Sequence, residues 1–72
     1  MSLLFETISI RDGRPENLRW HQQRVEASVK AASGRVPSFR LEEEIKVPPS
    51  AASGQYRCRV DYDTEIREIT FR

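Results

Sequence analysis

The dipeptide Asp12-Gly13 most constrains this chain. It follows an apolar run, Leu3 to Ile10, and precedes Pro15 by two residues. Asp-Gly between strand-forming segments specifies a two-residue hairpin turn, because Gly and Asp tolerate the positive φ angles that such a turn needs. The return strand must be short and lie at a sheet edge, since Pro15 has no N–H to donate to a ladder. Leu3, Phe5 and Thr7 alternate with Leu4, Ile8 and Ile10. Apolar groups on both faces predict a central strand covered on both sides. Glu6 is the carboxylate in this strand and is a candidate inward-facing acid.

Asn17 is placed to cap a helix. Leu18, Val25, Val29 and Ala32 recur at helical spacing, with His21 and Ser28 on the same stripe, and Gly34 is placed to end it. A second, shorter helix is expected to begin at Pro37-Ser38 and to carry Phe39, Leu41 and Ile45. Val47 to Gly54, with two prolines, two serines and a glycine, reads as a loop. Tyr56, Cys58, Val60 and Tyr62 then alternate with Arg57, Arg59 and Asp61. A turn near Asp63-Thr64 leads to a last strand in which Ile69 and Phe71 share a face. Ile66 is out of phase with them, which predicts a bulge. The segregated order predicts an α+β fold: a small antiparallel sheet with two helices on one face. Seventy-two residues make one small domain spanning 1–72.

Twelve Lys and Arg against eleven Asp and Glu leave a net charge of +1, too balanced for an electrostatic nucleic-acid binder. The single cysteine, Cys58, excludes an internal disulfide and suits a reducing, cytoplasmic setting. It reads as a small core residue. One His and one Cys do not make a structural zinc site, so no metal is expected. No signal peptide is read at the start, and no apolar run reaches the roughly 20 residues of a membrane span. Ten of the twelve cations are Arg, the side chain suited to bidentate capture of carboxylate and phosphate.

Two sets of arginines are candidates for chemistry. His21 and Arg24, three apart, share a helix face. Arg24 at the edge of the apolar stripe can hold a phosphate, or both residues can be structural, a core imidazole and a solvated guanidinium. Arg57 and Arg59 lie on the polar face of one strand. Either they bind an anion there, or they pair with carboxylates of the return strand around Glu65, Arg67 and Glu68.

Leu4-Phe5-Glu6-Thr7-Ile8, Asp12-Gly13, Leu18-x-x-His21-x-x-Arg24-Val25 and Gly54-x-Tyr56-Arg57-Cys58-Arg59-Val60-x-Tyr62 together resemble the start of the class IV, fold-type IV pyridoxal-phosphate enzymes. That family includes branched-chain and D-amino-acid aminotransferases and aminodeoxychorismate lyases, and the likeness is greatest to the short lyase-like members. Each motif alone is weak, but four in order and spacing cover nearly the whole chain. The resemblance implies the smaller N-terminal domain of a dimeric enzyme acting on amino acids or amino-containing carboxylates. Arg24 inherits contact with the cofactor phosphate. Arg57 and Arg59 match strand positions approaching the cleft, a weaker carry-over toward the substrate carboxylate. Lys30 and Lys46 do not match the family's Schiff-base lysine, which lies beyond the region matched. No catalytic residue is therefore assigned in this chain, and tight cofactor binding is not expected of it alone. The chain stops about where the family's interdomain connection begins, so the partner expected is a C-terminal domain or a separate chain. Ser9 stands where many members carry Arg, which removes one carboxylate contact. The competing expectation is a free-standing, non-catalytic α+β module that binds a protein or nucleic acid through its arginine face.

Overall fold

The computed structural model describes residues 3–72. Its elements are β1 (Leu4–Arg11), β2 (Arg14–Pro15), α1 (Leu18–Ser33), α2 (Leu41–Glu44), β3 (Gln55–Tyr62) and β4 (Ile66–Phe71), with a 3₁₀ turn over Pro49–Ala51. The four strands form one antiparallel sheet in the order β2-β1-β3-β4. The fold is the α+β class expected.

Asp12 and Gly13 join β1 to β2 with φ angles of 49° and 80°. Positive φ at both central residues is the signature of a type I′ turn. β2 pairs through only two positions, Ile10 with Pro15 and Arg11 with Arg14. Beyond Pro15 the chain leaves the sheet for α1. Asn17 sits at the helix start in a left-handed conformation (φ 56°), and its side chain makes no capping hydrogen bond. The expected cap position is right, but its chemistry differs: Asn17 turns the backbone into the helix, and its carbonyl accepts from the His21 N–H at 3.0 Å. Gly34, at φ 73°, closes α1 by donating its N–H to the Lys30 carbonyl.

α1 lays His21, Val25 and Val29 on the sheet. Val25 and Val29 pack with Ile8, Ile10, Cys58, Val60 and Tyr62 into one core, which Phe39, Leu41 and Ile45 complete. Both helices therefore serve one face of the sheet. The expectation that β1 is covered on both faces is overturned: Leu3 is 58% and Phe5 56% exposed, while Ile8 and Ile10 are fully buried.

The second helix is a single turn that starts at Leu41, later than Pro37-Ser38. Ser38 donates from both its N–H and its hydroxyl to the Thr64 carbonyl, at 2.9 Å each. Those bonds hold the approach to α2 against the β3–β4 turn. The Leu41 N–H is met by the side-chain oxygen of Gln22 on α1, at 2.8 Å. The expected bulge is present: Asp61 pairs with Glu68 but Tyr62 with Ile66. The extra residue, Arg67, puts Ile66 on the core face, where it packs against the core as Ile69 and Phe71 do. No helix among the described residues is long and apolar enough to cross a membrane.

Candidate functional site

Glu6 is the inward-facing acid of β1, only 3% exposed. Its Oε1 lies 2.7 Å from Nδ1 of His21, also buried. A carboxylate only accepts, so Nδ1 donates its proton to it and the imidazole tautomer is set. Oε2 of Glu6 is 3.6 Å from an Nη of Arg24. One helical turn carries His21 and Arg24 to the same carboxylate, as their three-residue spacing requires.

Trp20 completes the group. The Arg24 guanidinium carbon stands 4.8 Å from the centre of its indole, within cation–π range. The indole also meets the His21 ring edge-on, with centroids 4.9 Å apart. The guanidinium thus has an aromatic ring beside it and an acid near one nitrogen, yet its side chain is 53% exposed. A planar fork held in this way keeps donors free for an oxyanion. Phe5, Glu6, Thr7, Trp20, His21 and Arg24 line a shallow open cleft at this end of the sheet.

Arg57 and Arg59 alternate with the buried Cys58 and Val60, so both lie on the sheet face away from α1. They are not equivalent. Arg59 sits opposite Thr7 in the ladder and its guanidinium carbon is 4.3 Å from the centre of the Phe5 ring. It therefore borders the cleft. Its Nε is bonded to Asp61 at 3.1 Å, a residue of its own strand. Arg67 turns instead to Asp63 at 2.8 Å and Glu65 at 3.6 Å, so Arg59 does not pair with the return strand. Arg57 lies at a separate depression lined by Gln55, Tyr56 and Arg72. Two reciprocal backbone bonds, at 2.6 and 2.9 Å, join Arg57 to Arg72.

The lysines are elsewhere. Lys30 follows Arg24 by six residues, about 9 Å along α1 and rotated by roughly 240°; its Nζ donates to the Gly34 carbonyl at 3.2 Å. Lys46 is exposed and does not line the cleft. Burial pushes the Cys58 thiol up to about 11, which keeps it protonated and unreactive at neutral pH. Burial also raises the Tyr62 phenol, with the charge of Glu6 acting the same way and Ser28 and Arg24 opposing. Among the described residues no group of three or more His, Cys, Asp or Glu side chains is placed to hold a metal ion.

The part of the site that sequence reasoning underweighted is Glu6. The available signal was a lone carboxylate in an apolar strand, since a buried carboxylate requires a partner; which residue partners it is set by the fold.

An uncharacterized protein of Haemophilus influenzae is similar to this chain, with 36% identity over 70 residues. The match covers 94% of this chain and 37% of that protein, so the chain spans well under half of the relative's length. No family model matches the chain, and no solved structure matches it.

Proposed function

We propose that this chain is the N-terminal region of a class IV, pyridoxal-phosphate-dependent aminotransferase or an aminodeoxychorismate-lyase-like enzyme. It holds the phosphate end of the cofactor through Arg24, and the Schiff-base lysine comes from a C-terminal domain or separate chain. The observation that carries this reading is the guanidinium of Arg24, fixed beside Trp20 and Glu6 while open to the cleft. The residues present fit the phosphate end alone: neither Lys30 nor Lys46 lines the cleft. When bound, the cofactor supplies an electron sink for bond breaking at an amino-acid carbon. This chain's own work is to bind and orient. Glu6 and Trp20 hold Arg24, Arg24 grips phosphate, and Arg59 at the cleft border is placed for a substrate carboxylate. Arg57 is the more remote of the two.

The exposed rings of Phe5 and Trp20 line the cleft, as expected where further polypeptide closes a site. The same reading includes a homodimer in the cytoplasm. The competing module has one observation in its favour: Arg57 and Arg72 are paired through their backbones and line one open depression, and two arginines at one place suit an anionic partner.

Trp20, the single tryptophan, reports on the cleft directly. Pyridoxal phosphate should quench its fluorescence, pyridoxal should not, and Arg24→Ala should abolish the effect. One charge-assisted contact contributes about 1.5–3 kcal/mol, short of the roughly 4 kcal/mol of a millimolar complex, so the affinity should be weaker than about 1 mM. Equal quenching by both compounds, or by the Arg24→Ala variant, refutes the assignment.

A further inference from the structure

Arg24 lines a cleft together with Phe5 and Thr7, on a stretch of β1 whose outer edge nothing in the sheet completes. β2 ends at Pro15 and pairs only with Ile10 and Arg11. One further bond, from the Glu16 N–H to the Ser9 carbonyl at 2.8 Å, extends that side of β1. Toward its start, from Thr7 back to Phe5, β1 has no neighbour on this side.

The ladder parity says which backbone groups are left over. In an antiparallel pair, alternate residues direct their N–H and C=O toward opposite neighbours. The backbone of Arg57 bonds to Arg72 beyond β4, so Arg59, two residues on, also turns toward β4. Thr7 lies opposite Arg59 and is therefore at a non-hydrogen-bonded position of the β1–β3 ladder. Its N–H points to the open edge, on the same side as the Ser9 carbonyl. Among the described residues it has no backbone partner. Thr7 and Arg24 line the same cleft.

An open edge N–H is a neutral donor that water satisfies until an anion replaces it. In a cleft that Arg24 also lines it becomes the second point of a clamp, because phosphate offers several acceptor oxygens and the two donors come from different elements. We propose that the backbone N–H of Thr7 and the guanidinium of Arg24 together bind the phosphate group of a phosphate monoester. This rests on the assignment of Arg24 as a phosphate ligand and adds a donor that no side-chain motif reveals. Asn17 has a functional consequence here: by turning the chain from β2 into α1 just past Glu16 it leaves this donor free.

The test is amide and arginine Nε–H NMR of the whole chain titrated with inorganic phosphate and with pyridoxamine 5′-phosphate. Pyridoxamine and chloride at matched ionic strength are the controls. Both phosphates should move the Thr7 amide proton downfield together with the Arg24 Nε–H, along one binding curve, and the controls should move neither. A response to pyridoxamine 5′-phosphate alone would place the recognition in the ring and overturn the clamp. If Arg24 responds and the Thr7 amide stays still, the clamp is wrong while the Arg24 assignment stands. If neither responds, both fall. Thr7→Pro removes the donor at an edge position where no ladder bond is lost. It should weaken phosphate binding roughly fivefold to tenfold; a folded Thr7→Pro variant with undiminished affinity also overturns the clamp.

Discussion

The carboxylate of Glu6 on β1 and Nδ1 of His21 on α1 meet at 2.7 Å with both side chains buried. This is a polar bond that joins helix to sheet at the core. Glu6→Leu leaves the imidazole N–H without a partner and should cost about 1–3 kcal/mol. For a domain of this size each kcal/mol lowers the melting temperature by roughly 4–8 °C. Glu6→Gln keeps an acceptor for Nδ1 and should cost less. Calorimetry of the two variants checks the order; equal losses would show that the hydrogen bond is not what matters.

Gly13 is the tightest point of the β1–β2 turn. It sits at φ +80°, and a Cβ there would stand 3.2 Å from the Ala52 carbonyl oxygen. Gly34, at φ +73°, has open space around it. Gly34→Ala should lose only the roughly 1–2 kcal/mol of left-handed strain, and Gly13→Ala should lose more. Urea midpoints at constant slope measure the difference.

Cys58 makes a prediction in pH. Its thiol titrates at about 11 in the folded chain against an ordinary 9.0. A group whose folded pKa is raised stabilises the protein below its unfolded pKa, and that contribution is lost as pH rises. Stability should therefore fall from about pH 9 toward pH 11, with Tyr62, also raised, adding to the loss. Cys58→Ala should flatten part of that fall. At neutral pH, iodoacetamide should leave Cys58 unmodified unless denaturant is added.

Much of the sheet was legible because its signals are local. Asp12-Gly13 and Pro15 specified the turn and the short edge strand, and the phase of Ile66 against Ile69 specified the bulge. The start of α2 was not legible, because Ser38 is held by Thr64, 26 residues away, and Leu41 by Gln22. Neither tie leaves a mark in local propensity. In the site, the helical spacing of His21 and Arg24 placed both residues. Their joint dependence on Glu6 crosses from helix to strand and shows only when the fold brings those elements together. The open outer face of β1 was misread for a related reason: alternation shows which residues are apolar, not whether a second layer covers them.

Borohydride reduction of the chain with pyridoxal phosphate, followed by peptide mass spectrometry, tests the central claim most directly. Arg24 is present to hold phosphate, and neither Lys30 nor Lys46 lines the cleft. The expected result is no stoichiometric adduct at either lysine, only traces that Arg24→Ala leaves unchanged. A stoichiometric adduct at Lys30 or Lys46 that disappears in the Arg24→Ala variant would contradict it, and would show a complete cofactor site within these 72 residues.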